Sequence, residues 1–143
     1  MGLNIPPVPV IVDASFAIAG LMGDATVQAA WERWADEGRM LLAPAIVWPE
    51  IGNALLVRNK VPLAEVAANL QTVELAGLET ADRGPIGVQF ALDLAARYRL
   101  SVHDATYLWL AIDVDGELAT RDRPLARAAT AEGVPLVLES AAG

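Results

Sequence analysis

Residues 8–15, which read VPVIVDAS, decide the fold class of this chain. Val8, Val10, Ile11 and Val12 form an apolar and entirely β-branched run, and Asp13 ends it. Such a run is typical of a parallel strand that is buried on both faces of its sheet. We therefore predict a first strand over residues 8–12, with Asp13 at its carboxyl end.

Short apolar runs alternate with longer Ala/Leu-rich stretches along the rest of the chain. Residues 40–43, 117–120 and 135–138 are predicted as further strands. The spacing of apolar residues, capping residues and prolines predicts helices over residues 24–37, 46–59, 62–75, 88–99, 101–112 and 124–131. This alternation predicts an α/β fold in which a parallel sheet has helices on both faces.

The composition excludes several classes of protein. Of the 143 residues, 55% are hydrophobic, which excludes disorder and suits one domain over residues 1–143. There is no cysteine, and His103 is the single histidine, so disulfides, thiolate zinc sites and histidine-rich metal sites are excluded. With neither a signal-peptide pattern nor an apolar stretch of about 18 residues, we expect a cytoplasmic protein without a membrane span.

The charge balance argues against general nucleic-acid binding. Ten Lys and Arg residues face 18 Asp and Glu residues, which leaves a net charge of -8. No overall basic surface exists to attract a polyanion. A nucleic-acid partner would have to be bound through local features of the surface.

Four carboxylates are candidates for one shared site. Asp13 and Asp122 each follow a predicted strand, and Glu50 and Asp104 fall in the first turns of predicted helices. Ligands of such sheets collect where the strands end and the helices begin, so all four side chains could face one cleft. Because four carboxylates repel one another, a bound cation is needed, and oxygen ligands favour Mg²⁺ or Mn²⁺. Metal-assisted hydrolysis of a phosphodiester is the chemistry that such a site predicts.

Each acid also has a purely structural interpretation, which the sequence leaves open. Asp13 and Asp122 could cap the helices that follow them, and Asp104 could complete a capping box with Ser101. Glu50 could simply be favoured by a helix dipole. Their joint placement, rather than any single residue, favours the functional interpretation.

Polar neighbours could support these acids. Asn53, one helical turn after Glu50, could orient its carboxylate, and Ser15 and Thr120 could hydrogen-bond the aspartates or a bound water. Arg121 and Arg123 flank Asp122 and could form a phosphate-binding rim, together with Arg127, or could merely neutralise surface acids. The lone histidine, His103, is left outside the predicted site because single histidines are more often structural.

Four motifs together resemble the PIN domain family. They read VDAS at residues 12–15, PEIGNAL at 49–55, LSVHDATYLWLA at 100–111 and LATRDRPLA at 118–126. They occur in the family's order, and within the family the chain resembles VapC-type toxins of bacterial toxin–antitoxin pairs. The resemblance implies a three-layer α/β/α fold with a parallel sheet of four to five strands. It also implies a Mg²⁺- or Mn²⁺-dependent endoribonuclease that is cytoplasmic and forms a homodimer.

The resemblance assigns roles by motif position. It implies that Asp13, Glu50, Asp104 and Asp122 are the catalytic and metal-binding acids, and that Pro124 stands where some relatives have a fifth acid. It further implies a cognate antitoxin, and the predicted helices at 24–37 and 62–75 are candidates for the groove that receives it. Two alternatives remain open: a housekeeping RNA-processing PIN nuclease, and a PIN-like module that binds protein or RNA without cleaving it.

Overall fold

The computed structural model describes residues 7–137, and its centre is a four-stranded parallel sheet. The strands are β1 (Val10–Val12), β2 (Leu41–Ala43), β3 (Leu78–Thr80) and β4 (Glu117–Ala119), in the spatial order β3-β2-β1-β4. All three residues of β1 are fully buried, as the apolar run at the start of the chain predicts. The predicted α/β fold with a parallel sheet is therefore confirmed.

Seven α-helices lie within residues 7–137. They are α1 (Ala14–Leu21), α2 (Ala25–Glu37), α3 (Val47–Asn53), α4 (Leu63–Leu75), α5 (Gly84–Tyr98), α6 (Val102–Val114) and α7 (Arg123–Ala131). A π-helical turn, Ala54–Arg58, continues α3 directly. In this part of the chain no helix is long and apolar enough to cross a membrane.

The helix starts follow from local capping. Asp13, Asp24 and Asp122 accept hydrogen bonds from the backbone N–H groups three residues ahead, at 3.0, 3.1 and 2.9 Å, and so begin α1, α2 and α7. Ser101 does the same for α6 at 3.0 Å. Such caps satisfy N–H groups that have no partner within the helix, typically stabilising it by about 1 kcal/mol. Gly38 ends α2 with a φ of 66°, a conformation that glycine adopts without strain.

The core lies on both faces of β1. Phe16 and Trp34 stack with ring centroids 5.5 Å apart, which joins α1 to α2. Gly116 allows β4 to approach β1, because a Cβ there would lie 2.8 Å from the backbone oxygen of Pro9. Asp13 N donates to Ala119 O at 3.1 Å, so the carboxyl ends of β1 and β4 meet at one edge of the sheet.

The structure corrects three of the predicted elements and adds a strand. Strand β3 was not predicted, because only Leu78 of its three residues is buried and its pattern is therefore weak. The predicted strand at 135–138 reduces to the bridge Leu118↔Leu136, since Pro135 has no N–H to donate, and Leu138 lies outside the described residues. The helix predicted at 88–99 begins four residues earlier, at Gly84, with Pro85 in its first turn. The helix predicted at 46–59 changes to π-helical hydrogen bonding at residue 54.

Candidate active site

The sheet edge and two helices bring the four predicted acids to one cleft. Asp13 and Asp122 come from the ends of β1 and β4, Glu50 from the first turn of α3 and Asp104 from the first turn of α6. All four line a single cleft of about 720 Å³. Its other polar lining residues are Ser15, Asn53, Arg58, Asn59, His103 and Tyr107.

Asp13 is the most buried of the four acids, with 4% of its surface exposed. Burial raises its pKa to about 6, because a charged carboxylate loses its water shell. Hydrogen bonds from Thr120, Ser15 and the N–H of Phe16 oppose this rise, and the negative charge of Asp104 adds to it. Near neutral pH the site therefore holds a carboxylate whose charge is only partly compensated.

Two hydroxyl groups fix the Asp13 carboxylate. Ser15 Oγ donates to Asp13 Oδ1 at 2.7 Å, and Thr120 Oγ1 donates to Asp13 Oδ2. Both hydroxyls also accept backbone N–H groups, from Arg121 to Ser15 at 2.9 Å and from Asp122 to Thr120 at 2.9 Å. The loop after β4 is thus tied to Asp13, and the two aspartates occupy fixed positions relative to each other.

Asp104 completes the acidic side of the cleft. Its side chain is half-buried, and burial raises its pKa, as does the charge of Asp122. Ser101, which caps the same helix, partly offsets this rise. Only half of the capping box is present among the described residues: Ser101 Oγ accepts from Asp104 N, but Ser101 N donates no hydrogen bond to the Asp104 carboxylate, which lines the cleft.

Glu50 has a partner that the sequence analysis missed. Tyr107, which is 1% exposed, donates its hydroxyl proton to Glu50 Oε1 across the cleft from α6 to α3. Burial and this hydrogen bond raise the pKa of Tyr107, so it remains a neutral donor. A signal did exist, because Tyr107 follows Asp104 by three residues and so shares its helix face.

Of the remaining predicted site residues, Asn53 lines the cleft, whereas Arg121 and Arg123 lie outside it. Asn53 lines the cleft with an exposed side chain. Arg121 NH2 pairs with Asp24 Oδ2 at 2.5 Å, which directs this guanidinium toward the start of α2. Arg123 is exposed as the first residue of α7, and neither arginine lines the cleft. His103, which was left outside the predicted site, does line it.

The donor chemistry of the cleft suits a hard divalent cation. Carboxylate oxygens are the ligands that Mg²⁺ and Mn²⁺ prefer, and the raised pKa of Asp13 reflects charge that a cation would compensate. Within residues 7–137, however, no three acidic or histidine side chains are arranged to hold one ion together. A bound ion would therefore be held by one or two of these carboxylates, with water completing its shell.

Comparison with protein families decides between the possible doubly wound folds. The family model described as the PIN domain matches residues 10–131, which include all four acids. The chain belongs to the PIN domain family. PIN domains are nucleases, so the acidic cleft of this PIN domain lies where phosphodiester chemistry is expected. No curated protein sequence matches the chain significantly.

Solved structures agree with the fold of this PIN domain. PAE2754 from Pyrobaculum aerophilum is 25% identical, with a TM-score of 0.65 over 91% of this chain and 90% of its own. VapC20 of Mycobacterium tuberculosis, a sarcin-ricin loop cleaving toxin, is 22% identical, with a TM-score of 0.63 over 83% of this chain and 94% of its own. A toxin–antitoxin complex from Klebsiella pneumoniae is 20% identical, with a TM-score of 0.62 over 90% and 96%.

Proposed function

We propose that this PIN domain is a metal-dependent endoribonuclease and the toxin of a toxin–antitoxin pair. The observation that carries the proposal is the convergence of Asp13, Glu50, Asp104 and Asp122 on one cleft of a nuclease fold. Acids needed only as helix caps or solvated charges have no reason to share a cleft, because their charges repel one another. The solved toxins with the same fold support the choice of RNA and of a toxin role.

The four acids would hold Mg²⁺ or Mn²⁺. When bound, the cation activates water and offsets charge on the phosphoryl group. Ser15 and Thr120 hold the Asp13 carboxylate with both of its oxygens engaged, and Tyr107 fixes one oxygen of Glu50. Asn53 lies one turn beyond Glu50 at the cleft, where its amide can contact RNA or the Glu50 carboxylate. Arg121 and Arg123 lie outside the cleft and would contact RNA that extends beyond it.

The proposed toxin role brings further partners. We infer that a cognate antitoxin neutralises the chain, that the chain forms a homodimer in the cytoplasm, and that residues 1–143 are one domain. The antitoxin is supported by the charge of -8, which favours a basic partner, and by the fold shared with a chain of a toxin–antitoxin complex.

Asp104→Asn tests the nuclease mechanism. The substitution keeps the size of the side chain and its place after the Ser101 cap but removes the charge. We expect RNA cleavage by the purified chain to require Mg²⁺ or Mn²⁺, to stop in EDTA and to fall at least about 100-fold in the variant. Asp115→Asn is the matched control, since Asp115 is exposed at the other end of the same helix and asparagine tolerates its positive φ of 55°.

The outcomes separate the candidate functions. Cleavage that persists in EDTA, or in Asp104→Asn, contradicts the metal mechanism. Cleavage without growth arrest after induction favours the housekeeping nuclease, and RNA or protein binding without any cleavage favours the non-cleaving module. Growth arrest that a neighbouring small gene product reverses supports the toxin.

A further inference from the structure

One arginine lines the acidic cleft. Arg58 is the single arginine or lysine among residues 7–137 that lines the cleft, together with the neutral Asn53 and Asn59. It was absent from the sequence-predicted site because it lies eight residues beyond Glu50, in what looks like the end of an ordinary helix. The cleft therefore combines four acids with one cation and several neutral polar groups.

Arg58 is the last residue of the π-helical turn Ala54–Arg58. In a π-helix the hydrogen bonds join residues five apart, so the carbonyl oxygen of Ala54 accepts from Asn59 N at 3.0 Å. The side chain of Asn59 donates to the same oxygen at 2.8 Å and so fixes the end of the turn. Arg58 and Asn59, four and five residues after Ala54, line the cleft together with it, whereas Val57 is exposed and does not line it. Single π-helical turns occur frequently at functional sites.

Arg58 also differs from the arginines that support the fold. Arg39, Arg83, Arg97 and Arg121 each form an ion pair with a carboxylate. Arg58 forms none with the residues that the structure describes, although it lines the same cleft as four acids. Arg58 is an exposed residue and is therefore accessible to a ligand.

We propose that Arg58 is a substrate-binding residue that contacts a backbone phosphate of the RNA next to the acidic cluster. The proposal rests on the proposed nuclease function and extends it to a residue of the cleft that is not an acid. An RNA strand that reaches four carboxylates on a chain of charge -8 meets repulsion, and a phosphate contact close to the acids reduces it. A guanidinium suits this role because its planar N–H groups match phosphate oxygens.

The competing interpretation is structural. Arg58 is a basic residue in the last turn of its helix, where a cation interacts favourably with the helix dipole. That role affects stability alone, whereas a phosphate contact releases counterions and so changes the salt dependence of RNA binding. The two interpretations therefore predict different measurements.

The test measures binding of a randomised, fluorescently labelled single-stranded oligoribonucleotide pool by anisotropy across a KCl series. All proteins carry Asp104→Asn, so that the RNA is bound without being cut. We expect Arg58→Ala to weaken binding about fivefold to tenfold at low salt and to reduce the slope of log affinity against log salt by about 0.7. Arg58→Lys should keep the slope, because it keeps the charge. Arg33→Ala, which removes an exposed arginine of α2 that does not line the cleft, is the matched control.

Failure of the inference and failure of the proposed function give different results. If Arg58→Ala binds RNA with the parent's affinity and salt slope, Arg58 contacts no phosphate, while the nuclease proposal stands. If Arg33→Ala weakens binding and changes the slope as much as Arg58→Ala does, the effect is one of net charge and the specific contact is refuted. If the parent protein binds no RNA at any salt concentration, the nuclease function itself is contradicted, and the inference with it.

Discussion

At the scale of single residues, the hydrogen bond from Tyr107 to Glu50 gives a sharp prediction. Tyr107→Phe keeps the buried ring but leaves a carboxylate oxygen in the cleft without its donor. We expect cleavage to fall about tenfold and the Mn²⁺ concentration for half-maximal activity to rise, because Glu50 is no longer held in place. Unfolding should become easier by about 1 kcal/mol. Initial rates across a Mn²⁺ series and thermal unfolding measure the two effects.

The chain offers a matched control for this tyrosine. Tyr98 donates to Glu132, and neither residue lines the cleft. Tyr98→Phe should therefore affect stability to a similar degree and leave the Mn²⁺ dependence unchanged. Equal Mn²⁺ profiles for Tyr107→Phe and the wild type would show that this hydrogen bond does not position Glu50.

Asp13 makes the stability of the metal-free chain depend on pH. Burial raises its pKa from 3.8 to about 6, so between these values the folded state binds more protons than the unfolded state. The free energy of unfolding then falls as the pH rises from about 4 to 6. Above pH 6 it is about 3 kcal/mol lower than below pH 4. In EDTA, Asp13→Asn should therefore be more stable than wild type by up to about 3 kcal/mol above pH 6, and the difference should vanish near pH 4.

Denaturant unfolding across this pH range provides the measurement. The new amide oxygen can still accept from Ser15 and Phe16, so the cap of α1 is retained. Mn²⁺ should raise the melting temperature of wild type more than that of the variant, because a ligand stabilises the form that binds it. A stability difference that does not change with pH would contradict the burial of a charged Asp13.

At the scale of elements, Asp122 serves two purposes that can be separated. It caps α7 by accepting from Leu125 N at 2.9 Å, and it also lines the cleft. Asp122→Asn keeps the cap and should retain stability while cleavage falls. Asp122→Ala should lose both cleavage and about 1 kcal/mol of stability. Unfolding and cleavage are measured on the same preparations, and full cleavage by Asp122→Asn would reduce Asp122 to a cap.

The elements also show how far sequence reasoning reaches. β1 could be predicted because an unbroken apolar run is a strong signal, and α4 because Pro62 marks its start and apolar spacing its face. β3 could not, since two of its three residues are exposed at the sheet edge and its pairing with β2 is set by tertiary contacts. The start of α5 was missed although Pro85 in its first turn marks it.

Within the site, too, the sequence pattern predicts some residues, while tertiary contacts determine others. The acids could be predicted from their positions after strands and in first helical turns. The position of Tyr107 on the helix face of Asp104 was an available signal, but its bond to Glu50 joins α3 to α6 and is not a periodic feature of the sequence. Arg58 lies at the end of a π-helical turn, which the sequence pattern does not reveal.

At the scale of the whole molecule, α2 and α4 meet at an apolar surface away from the acidic cleft. Ala17, Val27, Trp31, Thr72 and Val73 help to line a hollow of about 180 Å³ between them. Trp31 is anchored there, since its indole nitrogen donates to the carbonyl of Ala76 at 3.1 Å. The volume suits one or two apolar side chains. We propose that this hollow receives a segment of the proposed antitoxin, in which apolar anchors are combined with basic residues that suit a chain of charge -8.

Blocking the hollow should release the proposed toxin from its proposed antitoxin. Thr72→Arg places a long cation at the mouth of the hollow and leaves the cleft unchanged, since Thr72 is exposed and only bonds back to Ala68 O. Thr130→Arg is the matched control, because Thr130 is an exposed helical threonine with the equivalent bond to Ala126 O. Both variants should cleave RNA as wild type does. The proposed antitoxin, encoded beside the gene, should restore growth in cells that express Thr130→Arg. Thr72→Arg should bind the antitoxin at least about tenfold more weakly and should keep arresting growth. The reason is that a buried, unpaired cation opposes both an apolar anchor and a basic partner. Equal neutralisation of both variants would place the antitoxin on another surface of the molecule.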